Sequence, residues 1–130
     1  VSATYGAAGA RGEARAGFPH VRRALDALTR ARAAGATEER ARLDALLTVM
    51  STLQDTELLS TAGPFGLRHV QAGAREVLEA GGTATEAGSD ALAFDADLHT
   101  RAWSPRGSAG PLAGALFLDA LPVRAPARAA

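Results

Sequence analysis

Three short stretches of this 130-residue chain hold the residue types that could do chemistry. Gly9-Ala10-Arg11-Gly12-Glu13-Ala14 precedes Gly17-Phe18-Pro19. An arginine and a glutamate two positions apart on a glycine-rich segment can clamp a phosphate and present a carboxylate. The plainer reading is a solvated ion pair, which contributes little. The second stretch is Asp55-Thr56, at the end of the most apolar helical run, Leu46 to Leu59, and before a turn at Ser60-Thr61-Ala62-Gly63. A carboxylate at the end of a helix opposes the helix dipole. It therefore calls for a metal ion, an arginine, a cap to the next segment or plain solvent. The third stretch is Asp97, Arg101, Trp103, Ser104-Pro105-Arg106-Gly107-Ser108. Asp97 and Arg101 are four apart and predict an intrahelical pair. Ser104 to Ser108 enter the next helix and offer backbone N–H groups to an anion. His20, His69 and His99 show no metal-ligand spacing and read as surface or partly buried side chains. No nucleophile elbow, phosphate-binding loop or dinucleotide fingerprint occurs.

Composition narrows the classes. Apolar residues make up 47% and charged residues 22%, the balance of a globular domain. The absence of cysteine excludes disulfides and thiolate chemistry and fits a reducing, cytoplasmic compartment. All fourteen basic residues are arginine, against fourteen acids, and zero net charge gives no basic stripe for nucleic acid. The longest candidate membrane run, Pro111 to Leu118, is far short of a span. No secretory leader is visible, and a start at Val1 is expected of a processed or truncated product.

The elements that must position these residues are helical. Glycines at 6, 9, 12 and 17 predict a loop or broken helix over residues 1–18. Pro19 suits a first helical turn, and Val21, Leu25 and Leu28 then recur along residues 19–33, closed by Gly35. Thr37 is a candidate N-cap with Glu38 and Glu39 behind it. Leu43, Leu46, Leu47, Met50 and Leu53 carry that second helix over 38–58, the expected core element. Pro64 opens a third helix over 64–79, with Leu67, Val70, Ala74, Val77 and Leu78 as its stripe. A fourth covers 89–102, capped by Ser89, with Leu92, Phe94 and Leu98 inward. A fifth covers 111–121. No stretch alternates with period two. The expectation is an all-α fold of five helices in a bundle-like array with glycine-containing loops: one domain over residues 1–121 and a mobile tail over 122–130.

Taken in order, the three blocks resemble the triphosphoribosyl-dephospho-CoA synthases, helical enzymes that make the prosthetic-group precursor for malonate decarboxylase and citrate lyase. The resemblance rests on the first block; on Leu46-Leu47 through Asp55-Thr56 to Gly63 and Gly66-Leu67; and on Asp97-Leu98, Arg101, Ser104-Pro105, Gly107-Ser108-Ala109, Leu112-Ala113 and Phe117-Leu118. It covers nearly all of this chain and about the C-terminal half of the family's usual length. It implies a transferase that joins ATP to 3′-dephospho-CoA. The ribose 2′-hydroxyl attacks the anomeric carbon of the ATP ribose, and adenine leaves. Such glycosyl transfer needs a carboxylate, a donor to the leaving base, and Mg²⁺ or arginine for the triphosphate. The resemblance thereby nominates Glu13, Asp55 and Asp97 as catalytic carboxylates, and Asp55 also as a metal ligand. Arg11, Arg101, Ser104, Gly107 and Ser108 become the substrate- and phosphate-binding candidates.

The chain departs from the family pattern in two places. Ser60-Thr61-Ala62-Gly63 stand where the family carries a His-Arg-Gly-Gly run, and Arg106 and Gly110 replace a glycine and an aspartate. These losses predict reduced turnover. They also support an alternative, a non-catalytic helical remnant or interaction module. A homodimer, or a partner supplying the N-terminal half, is the expected assembly.

Overall fold

The computed structural model describes residues 14, 17–82, 88–104, 107 and 109–120. Five helices lie among them: α1 (Pro19–Ala33), α2 (Glu38–Met50), α3 (Thr56–Glu79), α4 (Gly88–Arg101) and α5 (Ala109–Ala120). The described residues contain no strand, and the fold is all-α. The segment over residues 1–13 and the tail from 121 onward lie outside the described residues.

The helices start where local chemistry starts them. Pro19 occupies the first turn of α1. The Thr37 hydroxyl accepts from the Arg40 N–H at 3.3 Å at the head of α2. The predicted second helix, however, is too long. It stops at Met50, and Asp55 caps a new helix that begins at Thr56. The apolar spacing runs across the break without a glycine or proline to mark it, so periodicity alone hides it. Pro64 does mark a boundary: α3 is interrupted at Gly63, whose φ of 72° is open to glycine and strained for other residues.

Three helix ends share one hydrogen-bond pattern, in which the chain reverses through a left-handed residue. Glycine takes that position after α1 and α3, at Gly35 (φ 89°) and Gly81 (φ 115°). After α4 it is Ala102, at φ 58°. The Ala102 N–H donates to the His99 carbonyl and the Trp103 N–H to the Leu98 carbonyl. A left-handed alanine costs roughly 1–2 kcal/mol. That strain sits where the chain turns Trp103 back onto α3.

Two apolar clusters share α2. Ala41, Ala45 and Val49 face Val21, Ala24, Ala27 and Leu28 of α1 and Ala115 of α5. Leu47 and Met50 face Leu58, Leu59, Leu67, Val70, Ala74 and Val77 of α3 and Leu98 of α4. Small residues on the first face allow close helix approach, and larger ones fill the second. The expected inward position of Leu92 is not found: it is 73% exposed, while Leu98 is buried and Phe94 packs against the core edge. Positions 94 and 98 share a face at i, i+4, and position 92 points elsewhere on the cylinder.

Candidate functional site

Asp55 is buried, 4% exposed, and its carboxylate is fully engaged. Oδ1 accepts the Glu57 and Leu58 N–H groups, each at 3.1 Å. Oδ2 accepts the Gly107 N–H at 2.8 Å. The expectation of a carboxylate at a helix C-terminus is therefore reversed. Asp55 stands at an N-terminus, where the dipole favours its charge and orphan N–H groups need an acceptor. It also ties the 51–55 connection to a loop 52 residues away. Gly107 fits because it lacks a side chain: a Cβ there would stand 2.6 Å from the Asp55 Cγ. The Gly107 N–H, expected to face an anion, already has an acceptor.

The connection between α2 and α3 is stitched from several sides. Gln71 donates to the Leu53 carbonyl at 3.1 Å, and Arg75 to the Ser51 carbonyl at 3.2 Å. Arg23 donates to the Thr52 hydroxyl at 3.1 Å, and His20 Nε2 lies at the same distance from it. This ground does not fit Mg²⁺. Both oxygens of Asp55 are hydrogen-bonded and shielded, and no group of three or more acidic, histidine or cysteine side chains among the described residues could hold a metal ion.

Asp97 is different. It is half-exposed on α4, and its partners are side chains. Oδ1 accepts from Arg101 Nε at 2.9 Å, the expected i, i+4 pair. Oδ2 lies 2.6 Å from His69 Nε2, on α3. The hydrogen bond from His69, then that from Arg101, hold the Asp97 carboxyl below the usual carboxylate range. His69 is in turn set between rings. Phe65, one turn earlier, stacks on it at 6.5 Å between centroids, and Trp103 meets it edge-on at 5.6 Å. The Arg101 guanidinium lies 5.2 Å over the Trp103 ring. A Cβ at Gly66 would collide with the Ala62 Cβ and would also crowd the Trp103 ring, 3.3 Å from its Cζ2.

Two clefts flank Phe94. One, of about 460 Å³, is lined by His69, Gly73, Glu76, Asp90, Phe94 and Asp97 among others. The other, of about 430 Å³, is an apolar groove between α2 and α4 with Leu43, Leu47, Met50, Leu98 and Trp103 in its walls. Asp55 lines neither. Three carboxylates and one histidine make the first cleft acidic. It suits an uncharged or cationic group and disfavours a triphosphate.

Of the residues singled out from sequence, Arg11, Glu13 and Ser108 lie outside the described residues, as does Arg106. Ser104 is exposed at the rim of the apolar groove. Asp97 and Arg101 are brought together, and Asp55 and Gly107 form a second, separate pair. Sequence reading missed His69. Its partner Asp97 is 28 residues away on another helix, and the one local hint was the i, i+4 spacing of Phe65 and His69.

A family model described as ATP:dephospho-CoA triphosphoribosyl transferase matches residues 1–129. The chain is 53% identical over 120 residues to a protein of Pseudomonas paraeruginosa named probable 2-(5''-triphosphoribosyl)-3'-dephosphocoenzyme-A synthase, covering 91% of this chain and 41% of that one. It is likewise 53% identical over 113 residues to the 2-(5''-triphosphoribosyl)-3'-dephosphocoenzyme-A synthase of Klebsiella pneumoniae, covering 85% of this chain and 40% of the relative. The chain thus spans about two fifths of the length of these curated relatives. No solved structure matches it.

Proposed function

From the premise that the chain belongs to the ATP:dephospho-CoA triphosphoribosyl transferase family, we propose that it serves the reaction its relatives are named for. It joins ATP to 3′-dephospho-CoA with loss of adenine, making the prosthetic-group precursor of an acyl carrier protein in malonate decarboxylase or citrate lyase. The observation that carries this reading is the match over residues 1–129, held at 53% identity against the Klebsiella enzyme. The cytoplasm is the compartment the reaction requires, and no helix among the described residues is long and apolar enough to cross a membrane. The part of the family's length that this chain does not span completes the site, on the same or a separate chain.

The geometry supports a division of labour among the nominated carboxylates. Asp97 is solvent-accessible, charged and coupled to a histidine in a cleft, as a proton-transfer group requires. Asp55 holds the backbone at Gly107. Arg101 sits between Asp97 and Trp103, at the edge of the same cluster.

A second reading, an interaction module without turnover, is favoured by one observation. Thr61 stands where the family has an arginine, and its hydroxyl donates to the Glu57 carbonyl at 3.1 Å instead of presenting a charge. One experiment separates the two. Purified chain is incubated with ATP, 3′-dephospho-CoA and Mg²⁺, alone and with the remainder of a family member added, and released adenine is measured. Release in either mixture supports the transferase reading. Absence of both release and ATP binding in a folded sample overturns it.

A further inference from the structure

We infer that the Phe65–His69–Asp97–Trp103 cluster is a purine-binding site at which His69 protonates the departing adenine. The inference rests on the transferase reading for its ligand, and on the geometry of the cluster for its place.

Three properties of the cluster point to a purine. The first is aromatic surface. Phe65 is 66% exposed although it is a large apolar side chain, its ring is tilted 28° to that of His69 at 6.5 Å, and Trp103 meets His69 edge-on. An exposed ring on a helix lacks the burial that normally holds such residues. A flat heterocycle stacking on it would supply that burial, and base–aromatic stacking is a common source of nucleobase affinity. The second is room. A cleft of about 460 Å³, in the range of small-ligand sites, is lined by His69 and Asp97 and meets the Phe65 and Trp103 rings only through His69, so a base at its mouth lies between the two. The third is charge. Glu76, Asp90 and Asp97 line that cleft, so the triphosphate is repelled and must point outward. The uncharged base is admitted, and positive charge developing on the ribose ring in an oxocarbenium-like transition state is stabilised.

His69 is placed for proton transfer at this position. Its Nε2 is held by Asp97 at 2.6 Å, and Asp97 is itself fixed by Arg101. A histidine oriented by a carboxylate through one ring nitrogen uses the other for chemistry, because the carboxylate sets the tautomer and balances the imidazolium. The step balances. The bond between the ribose anomeric carbon and adenine breaks, and its electron pair goes to the base. The proton on His69 Nδ1 moves to a ring nitrogen of that base. The 2′-hydroxyl oxygen of dephospho-CoA bonds to the anomeric carbon, and its released proton restores the imidazolium. No reactant beyond the two substrates enters.

Trp103 is the single tryptophan of the chain and borders both this cluster and the apolar groove, so its fluorescence is read against Phe65→Ala, which alters the cluster and not the groove lining. The test titrates the full 130-residue chain with adenosine and with ATP while recording tryptophan emission, and measures ATP binding in parallel by calorimetry. The expected result is a saturable change with both ligands. Phe65→Ala, which removes a largely exposed side chain, should weaken both at least tenfold with the helical circular dichroism unchanged. His69→Gln retains a hydrogen-bonding group toward Asp97. It should keep the adenosine-induced change while adenine release falls 100-fold or more, and added imidazole should restore part of that release. Calorimetric ATP binding without any change in Trp103 emission, or ATP affinity indifferent to Phe65→Ala, overturns this inference and leaves the transferase reading standing. No ATP binding by either method overturns both.

Discussion

Asp55 and Asp97 are both aspartates at helix ends, both were nominated for chemistry, and the fold treats them oppositely. Asp55 is buried and accepts three backbone N–H groups, two from its own helix and one from the distant Gly107 loop. Asp97 is half-exposed and pairs with side chains, His69 and Arg101. Backbone donors cannot move without unfolding something, so the first carboxylate fixes chain path. Side-chain donors can exchange partners with a ligand, so the second is available for chemistry. Residue type does not distinguish the two; the nature of the donors does.

The sharpest way to break this contrast is to remove Asp55. Asp55→Ala leaves a helix start uncapped and the partly buried Gly107 N–H without its acceptor, and should destabilise the chain by about 2–4 kcal/mol. Urea unfolding followed by circular dichroism measures this, and a loss below roughly 0.5 kcal/mol, the level of an ordinary surface change, would place Asp55 among dispensable residues. The partner change, Gly107→Ala, puts a Cβ against the same carboxylate and should cost about 1–3 kcal/mol by forcing the loop off its acceptor. If both changes are combined, the losses should add up to less than their sum, since each breaks the same contact.

Changes at the other region should move function and spare the fold. Asp97→Asn and His69→Gln change half-buried side chains whose partners are other side chains, and should leave the urea midpoint nearly unchanged, while adenine release falls. A smaller effect tests the strained turn that delivers Trp103. Ala102→Gly removes the left-handed alanine and should stabilise by about 1 kcal/mol or somewhat less, the conformational relief being offset by added freedom in the unfolded chain. The smallest effect is in pH. Asp97 and Glu38 are both held below the usual carboxylate range, Asp97 first by His69 and then Arg101, Glu38 by Arg32 and then Arg42. Such groups contribute stability that is present above the ordinary carboxylate value and lost as pH falls through the lowered folded value. Stability should therefore decline below roughly pH 4, and Asp97→Asn should remove part of that decline by lowering the neutral plateau slightly toward the acid value. Solvent exposure keeps the amplitude small.

The helices were legible because their signals are local. Pro19, Thr37, Pro64 and the glycines at 35 and 81 each mark an end within one turn of where it falls. The break between Met50 and Thr56 was not legible, because Leu53, Leu58 and Leu59 continue an apolar spacing that belongs to two helices. The signal against it was Asp55 directly before Thr56-Glu57-Leu58, an N-cap followed by an acidic first turn, which reads equally well as the polar end of the preceding helix. The third turn was hidden for another reason: alanine at position 102 takes a conformation that sequence assigns to glycine. As for the site, the Asp97–Arg101 pair follows from spacing alone. The His69–Asp97 contact depends on how α3 lies across α4, and nothing within either segment encodes that.

The most direct measurement compares adenine release from ATP and 3′-dephospho-CoA for Asp55→Asn and Asp97→Asn, each with the remainder of a family member added, at a temperature where circular dichroism shows both folded. Asp97→Asn should lose 100-fold or more, the scale of a proton-transfer histidine deprived of the carboxylate that orients it, and Asp55→Asn should stay within about threefold of the parent per folded molecule. Loss of release in a fully folded Asp55→Asn, with Asp97→Asn unaffected, would contradict the division between a carboxylate that holds the fold and one that does the chemistry.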